Sequence, residues 1–420
     1  MLRIITALLL LAASLAVAGE SRLNEPTGAL TLRQALALAL SRSPELAAFD
    51  YDIRIAEARI LQAKSTPNPE ADFTGESVAG TDAYSNADQS ENTLLLSQLI
   101  ELGGKRRARV REAGFGRELA GFDYEIRKRE VFQKTAEHFV DLLAGQRRVA
   151  LAEELVRLAN EFVPAVEKRV EAGRASSLEK LRFDMSLGSA RIDLEEARRN
   201  VLAGRQRLAA QWGSSRPRFA SVAGDLDAMP ATASLDILAR RLPANPRLAR
   251  FGAEVAQREA AIAREKAAVV PDVTLRAGVR QIEETEDVTA VVGFSLPLPL
   301  WNRNEGNISA TRAQISRAGA EQATVAAALM TELTDAYQTL SRARASIQIL
   351  REEVLPGGES ALTATTEGYE AGRFSYIDVL DARRTISAAR LQYLQAITDY
   401  HKALHAVEAL TADPRPNNFP

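Results

Sequence analysis

The sequence predicts a mainly α-helical protein with a smaller β part, built from two copies of one long structural unit. The pattern Glu-Ala-Gly-Arg-x-Ser occurs at 171–176 and again at 370–375, about 200 residues apart, and each copy lies between long helical stretches. A helix that starts with proline, at Pro44 and at Pro246, repeats with a similar offset. After each of these helices, apolar and polar residues alternate as they do in strands. The fold class follows from the repeats and from this change of period within each repeat.

Composition and charge exclude several classes of protein. The chain has 420 residues, a formal net charge of −2 and only 5% aromatic residues. Its abundant Ala, Leu, Arg and Glu are typical of long helices packed through small side chains. Positive and negative residues are interleaved, so the charge pattern gives no indication of nucleic-acid binding. Because the chain has no Cys, it has neither a disulfide framework nor a thiol for lipid attachment.

The N-terminus has the pattern of a secretory signal peptide. Arg3 is followed by an apolar run at 4–15 and by the small-x-small site Ala16-Val17-Ala18, after which we expect cleavage. The run is shorter than the about 20 residues that a membrane-spanning helix needs. We therefore expect export of the chain. The expected organisation is signal peptide 1–18, N-terminal extension 19–30, first repeat 31–213, linker 214–233, second repeat 234–412 and disordered tail 413–420.

Four segments alternate with the period of a β-strand. They give one strand pair per repeat, at about 70–100 and at about 272–297. The segments are 72–78, 93–100, 272–282 and 288–296. Four strands are too few to close a membrane barrel, and hydrocarbon cannot satisfy an open sheet edge. A sheet of this kind in a membrane therefore requires several copies of the chain.

A very long helical pattern follows each strand pair, at about 105–170 and at about 305–369. At 1.5 Å per residue, about 65 residues extend about 100 Å, which suits a coiled coil or a conduit better than a globular core. Pro164 and the Pro-Gly-Gly segment 356–358 interrupt these patterns late and predict kinks. Each pattern is followed by a returning helix, which ends at about 212 in the first half and about 412 in the second.

The segments between the outgoing and returning helices contain helix-stop and helix-start residues. Gly173 and Gly372 suit the left-handed position that ends a helix. Ser176 and Ser375 suit the N-cap position of the next helix. Each half therefore predicts one long helical hairpin with a tight turn.

Carboxylates follow each start signal. Glu179 and Asp378 lie three residues after the serines, at the capping-box position, and capping is as well supported as any other main role for them. Asp381 lies one turn further on the same helix face, where it has no capping use. If several chains close around one axis, these carboxylates form stacked acidic rings that attract cations and narrow a pore.

Three segments resemble the TolC family of outer-membrane efflux proteins. The most specific is 369–382, and the junctions 101–110 and 297–308 are similar to those of the cobalt–zinc–cadmium (CzcC-type) branch. The resemblance covers nearly the whole mature chain. It implies a homotrimer in the outer membrane of a Gram-negative bacterium, with four strands per chain in a 12-stranded transmembrane β-barrel. It also implies that the helices form a hollow coiled-coil barrel through the periplasm.

The same resemblance implies the residues of a gate. Tyr369 matches a gating tyrosine, while Asp378 and Asp381 match an acidic pore constriction. Val170 and Arg182 occupy the corresponding positions of the first repeat, so the acidic ring is expected from the second repeat only. The residues expected to contact a periplasmic adaptor at the hairpin tips are Gly173, Arg174, Ser176, Gly372, Arg373 and Ser375.

These features favour the exit duct of a tripartite efflux system. Such a duct passively conducts its cargo, here most plausibly divalent heavy-metal cations, to the exterior. The resemblance implies three kinds of partner: a periplasmic adaptor (membrane fusion) protein, an inner-membrane resistance-nodulation-division type pump and outer-membrane lipid. A duct for drugs, small organic molecules or type I secreted polypeptide is an open alternative. A periplasmic adaptor should have one hairpin among many β segments, and a structural coiled coil needs no strands.

The sequence offers no nucleophile–base constellation, so we expect neither catalysis nor a cofactor. His401 and His405 have the i, i+4 spacing of metal ligands on a helix. With only three His and no Cys in the chain, they are weak candidates for a metal site, and packing or surface roles are favoured.

Overall fold

Two long helical hairpins and a four-stranded sheet account for most of the described chain, residues 25–84, 86–173 and 176–411 of a computed structural model. Each half of the chain supplies one hairpin and two strands of the sheet. The signal peptide 1–18, Arg174 and the tail 413–420 lie outside the described residues, so the expectations for them stay predictions.

The first half begins with a short strand and two capped helices. Thr31 and Gln34 form a capping box on the first helix, and Ser43 caps the second, with Pro44 at its start as predicted. The elements of this half are β1 (Ala29–Thr31), α1 (Leu32–Arg42), α2 (Pro44–Lys64), β2 (Glu70–Glu76), β3 (Glu91–Ile100), α3 (Lys105–Glu171), α4 (Ser177–Ala210) and β4 (Ser221–Ala223).

The second half repeats the order of helix, strand pair and hairpin. Asn245 caps its first long helix by accepting a hydrogen bond of 2.9 Å from the Arg247 N–H, and Pro246 again occupies the first position. The elements of this half are α5 (Leu235–Ala239), α6 (Pro246–Ala268), β5 (Val273–Ile282), β6 (Asp287–Ser295), α7 (Glu305–Ile349), α8 (Leu355–Glu370) and α9 (Tyr376–Thr411). A π-helical turn, Leu350–Val354, separates α7 from α8.

The four segments with strand period form one antiparallel sheet in the order β2-β3-β5-β6. Their existence and type are confirmed, and their ends lie within about two residues of the predicted ones. The central pairing, β3 with β5, places Leu94 opposite Val279 and so joins the two halves of the chain. β2 and β6 are the edges, with no second neighbouring strand in the described part of the chain. β1 and β4 form a separate parallel pair.

One face of the four-stranded sheet is apolar and exposed. Val292 is 82% exposed, Phe294 76% and Phe73 70%. Cross-strand pairing places further exposed apolar residues on the same face: Leu94, Leu96, Leu275 and Val279. The opposite face is polar, and there the Arg280 guanidinium contacts the carboxylate of Glu91 at 2.5 Å. Because exposed apolar surface is unfavourable in water, the apolar face requires an apolar environment.

The largest core cluster forms where both hairpins meet α1 and the β1–β4 pair. The hairpins contribute buried side chains from all four long helices, among them Leu142, Leu208, Ile347 and Tyr400. Trp212, just after α4, extends this core and donates its indole N–H to the buried carboxylate of Glu25 at 3.3 Å. The segment before β1 is thereby tied to the end of the first hairpin.

The outgoing helices of the two hairpins differ near their prolines. α3 continues through Pro164 as one helix of 67 residues, so the predicted interruption at Pro164 is wrong. The neighbouring turns tolerate the one hydrogen bond that a proline removes. The outgoing helix of the second half is interrupted, as predicted for this region, by the π turn Leu350–Val354 just before Pro356. Among the described residues, none of the helices combines the length and the apolarity that a bilayer span requires.

Candidate functional site

Both hairpins turn at a glycine in the left-handed conformation. Gly173 has a φ of +65° and Gly372 a φ of +74°, which residues with a Cβ rarely adopt. The N–H of each glycine bonds at 3.0 Å to a carbonyl three residues earlier, of Val170 in one hairpin and of Tyr369 in the other. The two glycines therefore end α3 and α8 as the sequence predicts and satisfy carbonyls at both helix ends.

Serines cap both returning helices, and the second cap also uses a carboxylate. The Ser176 hydroxyl accepts a hydrogen bond of 3.3 Å from the Glu179 N–H. The Asp378 carboxylate accepts hydrogen bonds from the Ser375 N–H at 2.8 Å and from its hydroxyl at 2.7 Å. The Asp378 N–H donates to the Ser375 hydroxyl at 3.4 Å, which completes a capping box. Capping is thus one role of Asp378.

The cap determines the charge state of Asp378. The hydrogen bonds from the Ser375 hydroxyl and N–H lower the pKa of the Asp378 carboxyl below its ordinary value of 3.8, because they stabilise the ionised form. A carboxyl with a lowered pKa stabilises the fold above its ordinary pKa and loses that contribution only as the pH falls through the lowered value. The carboxylate is therefore charged throughout the neutral and mildly acidic range.

Asp381 lies one helical turn beyond Asp378, outside the hydrogen bonds of the cap. The side chains of both residues are exposed, so the end of the second hairpin presents two neighbouring carboxylates. At the end of the first hairpin, Arg182 is exposed at the position that corresponds to Asp381. Within one chain, this pair of carboxylates belongs to the second hairpin alone.

Tyr369 is buried between the two hairpins. Its side chain is only 1% exposed, and its ring centroid lies 5.5 Å from that of Phe162 on α3 and 6.2 Å from that of Tyr376 on α9. The apolar cluster around it, named the tip cluster here, consists of Phe162, Val166, Phe183, Leu187, Tyr369, Tyr376 and Val379. Tyr369 therefore joins the ends of the two hairpins of one chain.

Two arginines lie over rings of the tip cluster. The Arg169 guanidinium is 4.2 Å from the ring centroid of Tyr369, and the Arg383 guanidinium is 4.6 Å from that of Phe162. Burial raises the pKa of Tyr369 and of Tyr376, so both phenols are neutral at physiological pH. Burial also lowers the pKa of Arg383, although an arginine remains charged at neutral pH. The cluster therefore combines two cations with the faces of two aromatic rings.

A second link between the hairpins lies further from the turns. Arg390 on α9 donates to Glu154 on α3 at 3.2 Å and to Glu359 on α8 at 3.3 Å. Beside this link, a groove of about 1090 Å³ separates α4 from α8 and α9. Its walls contain both signs of charge, including Arg182, Arg384, Glu367 and Glu370. The hairpins are thus in contact at the tip cluster and at Arg390, with an open groove alongside.

The residues predicted to meet a partner at the hairpin tips are accessible. Gly173 and Ser176 are exposed at the first turn, and Gly372, Arg373 and Ser375 are exposed at the second. Arg174 lies outside the described residues. The structure therefore groups Tyr369, Asp378 and Asp381 at one end of the second hairpin, with Tyr369 buried and the two carboxylates exposed.

The two histidines are occupied by packing partners far along α9. His401 donates from Nε2 to the Leu226 carbonyl at 2.9 Å, and burial lowers its pKa. His405 is buried, with Nδ1 2.9 Å from a carboxylate oxygen of Glu408. In the described part of the chain, no three His, Cys, Asp or Glu side chains form a group that fits a metal ion. These contacts support the packing role over the metal-binding role.

Sequence reasoning missed the contribution of the first hairpin to this site. Phe162, Val166 and Arg169 recur at helical spacing along α3, and all three contact the second hairpin. The spacing is visible in the sequence, but it indicates only a shared face. The partner across that face comes from a segment about 200 residues away, which periodicity does not identify.

Comparison with known proteins links this architecture to membrane efflux. The family model for outer membrane efflux proteins matches residues 35–214 and 238–413. The cobalt-zinc-cadmium resistance protein CzcC of Cupriavidus metallidurans is 34% identical over 387 residues, which cover 92% of this chain and 91% of that protein. The nickel-cobalt-cadmium resistance protein NccC of Alcaligenes xylosoxydans xylosoxydans is 28% identical, over 76% of this chain and 70% of that protein.

Solved structures share the fold at low sequence identity. The outer membrane protein VceC of Vibrio cholerae superposes with a TM-score of 0.75 at 20% identity, covering 91% of this chain and 97% of that one. A crystal structure of CusC, described in terms of transmembrane channel formation, gives a TM-score of 0.75 at 16% identity, covering 91% of this chain and 92% of that one. At such identities the likeness concerns the fold.

Proposed function

The chain belongs to the outer membrane efflux protein family, and from that premise we propose that it is the exit duct of a tripartite efflux system. Three copies assemble around one axis. Their sheets close into a 12-stranded β-barrel in the outer membrane, and their hairpins form a hollow helical barrel through the periplasm. The observation that carries this proposal is a sheet with an exposed apolar face and two unpaired edges, joined directly to two long hairpins.

The edges of the sheet are the reason for the assembly. A strand edge in hydrocarbon leaves backbone N–H and C=O groups without partners, so a spanning sheet must close on itself. In a ring of copies, β6 of one chain pairs with β2 of the next, and both edges disappear. The apolar face then contacts lipid, and the polar face with Arg280 and Glu91 lines the interior.

The hairpins supply the length of the duct. α3 has 67 residues, which at 1.5 Å per residue extend about 100 Å. This length carries the turns far from the membrane sheet, towards an adaptor and an inner-membrane pump. The exposed residues Gly173, Arg373 and Ser375 at the turns are the adaptor-contacting surface in this proposal.

Divalent heavy-metal cations are the proposed cargo. The printed names of the metal-resistance relatives support this choice, and so does the acidic end of the second hairpin. In a trimer, Asp378 and Asp381 form two stacked rings of carboxylates at the narrow end of the duct. The cargo moves passively, and the pump supplies the energy.

Opening of the duct separates the end of the second hairpin from that of the first. This movement breaks the contacts of Tyr369 with Phe162 and opens the ring formed by Asp378 and Asp381. The gate in this proposal therefore includes a buried aromatic contact as well as the exposed carboxylates.

The cargo is tested by deleting the gene in its own host and measuring growth in Co²⁺, Zn²⁺ and Cd²⁺. We expect increased sensitivity to these cations, which the intact gene on a plasmid reverses. Normal metal tolerance together with increased sensitivity to organic toxicants would contradict the metal cargo and favour a duct for drugs. Normal tolerance to both, with no conductance of the purified protein in lipid bilayers, would contradict the duct itself.

Replacing Asp381 with asparagine is expected to lower the cation preference of the purified channel at least about twofold and to weaken its block by divalent cations. Asp381 is exposed and outside the cap, so the change removes charge without removing a helix cap. Adding Asp378→Asn should lower the preference further. The measurement is the reversal potential in a salt gradient across a planar bilayer.

Asp184→Asn is the matched control for this prediction. Asp184 is exposed on α4 of the first hairpin, so the change in charge is the same at a position outside the proposed ring. Equal selectivity of the Asp381→Asn, Asp184→Asn and unmodified channels would exclude the assignment of the ring.

A further inference from the structure

Arg169 contacts Tyr369 in two ways across the boundary between the hairpins. Its guanidinium lies 4.2 Å from the centroid of the Tyr369 ring, and its Nη1 donates a hydrogen bond of 2.6 Å to the Tyr369 carbonyl. The carbonyl belongs to the last turn of α8, where helix carbonyls carry partial negative charge. One side chain of α3 therefore holds both the ring and the backbone at the end of the second hairpin.

The hydroxyl of Tyr369 has no role in this contact. It is buried, and it has no hydrogen-bond partner in the structure. A buried hydroxyl without a partner contributes nothing favourable to the packing around it and carries a desolvation cost. The ring and the carbonyl of Tyr369 are therefore the parts of this residue that connect the two hairpins.

We propose that Arg169 is the latch of the gate, holding the second hairpin against the first through the ring and the carbonyl of Tyr369. The inference rests on the proposed duct function, because only a channel needs its two hairpins to separate. It adds a gate residue from the first hairpin, whereas the predicted gate residues Tyr369, Asp378 and Asp381 all belong to the second.

The chemistry of the guanidinium suits this role. An arginine stacks its planar cation on an aromatic face while its N–H groups point outward in the same plane, which allows both contacts at once. Both contacts lie in the buried tip cluster, where water does not screen them as it does an exposed pair. By contrast, the Arg390 pairs with Glu154 and Glu359 are partly exposed and contribute less.

The contact reverses when the hairpins separate, because water can hydrate the guanidinium and the carbonyl once the tip cluster opens. A partner that pulls the second turn outward has to break a cation–π contact and a charge-assisted hydrogen bond at the same residue. The latch therefore keeps the duct closed until a partner engages the turns.

The test is the open probability of the purified channel in planar bilayers, with no adaptor present. Arg169→Ala is expected to raise the open probability about tenfold or more, because both contacts are lost together. Arg169→Lys should recover less than half of that effect, since an ammonium cannot stack and donate in one plane. Arg157→Ala is the matched control, because Arg157 is an exposed arginine of α3 that pairs only with Glu161 on its own helix.

Two substitutions of Tyr369 test which part of that residue is held. Tyr369→Leu removes the aromatic face, and Tyr369→Phe removes only the hydroxyl without a partner. We expect the leucine channel to be open at least about tenfold more often than the phenylalanine channel. Trimer yield and helix content by circular dichroism should match the unmodified protein in all these variants, which separates a change of gating from a failure to fold.

Three results would overturn the latch. They are an open probability of Arg169→Ala equal to that of Arg157→Ala, full recovery by Arg169→Lys, and equal opening of the two Tyr369 variants. A complete absence of conductance from the unmodified, trimeric protein would instead overturn the proposed duct function, and the latch with it.

Discussion

Replacing Gly278 with alanine is expected to reduce the assembled, membrane-inserted protein more than tenfold. Gly278 lies in the middle of β5, opposite Leu95 of β3, in the pairing that joins the two halves of the chain. A Cβ at this position would overlap the carbonyl oxygen of Leu94 and lie 2.8 Å from the Cα of Leu95. Both are backbone atoms that cannot rotate away, so the strands must separate, at a cost of about 3 kcal/mol or more.

The measurement is the amount of detergent-resistant oligomer in outer-membrane fractions, compared with total protein. The matched control is Gly293→Ala on the neighbouring strand β6, where an added Cβ meets nothing within 4 Å. This variant should assemble like the unmodified protein. Normal assembly of Gly278→Ala, or equal loss in both variants, would contradict the strand pairing described for β3 and β5.

Deleting Glu353 is expected to leave the fold intact and to alter gating, whereas deletion of one residue elsewhere in the same helix should unfold the hairpin. Glu353 lies in the π turn Leu350–Val354, and its side chain is exposed. A π turn spans one residue more than an α turn, so the turn can lose a residue and become α-helical while the flanking helices keep their register. Pro356 follows immediately, and its missing N–H already weakens this stretch of helix.

The π turn is the point at which the second hairpin can bend. No π turn is found in the described residues of the first hairpin, where α3 runs unbroken to its turn. Removal of the extra residue should therefore stiffen the moving hairpin. We expect the single-channel open probability to fall at least about threefold, measured in the same bilayers as the latch variants.

Deletion of Gln338 is the control for this experiment. Gln338 is exposed and lies between the buried residues Leu333 and Leu340 of α7. Its removal rotates one side of the helix by about 100° relative to the other and withdraws large side chains from the core, at about 2–5 kcal/mol for each. A Gln338 deletion that assembles normally, or a Glu353 deletion that fails to assemble, would contradict the proposed role of the π turn.

Together these predictions treat the two hairpins as mechanically different. The first is continuous and carries Arg169, and the second has the π turn and carries Tyr369. The repeats share their turns and strand pairs, yet they diverge at the positions where movement is proposed.

The sequence by itself determined the elements of this protein and the chemistry of its turns. Ser43-Pro44 and Asn245-Pro246 located two helix starts, and Gly173 and Gly372 located the hairpin turns. The alternation of Val273, Leu275, Ala277 and Val279 revealed a strand with one apolar face. These features were predictable because caps, left-handed glycines and periodic burial depend on residues within a few positions of one another.

Only the tertiary structure decided which distant residues meet. Arg169 reaches Tyr369 across about 200 residues of sequence, and β3 pairs with β5 rather than closing on its own hairpin alone. The burial of Tyr369, the unbroken helix through Pro164 and the packing partners of His401 depend on the same long-range contacts. Periodicity tells which face of an element is buried, but the partner on that face is selected by the packing of the whole chain.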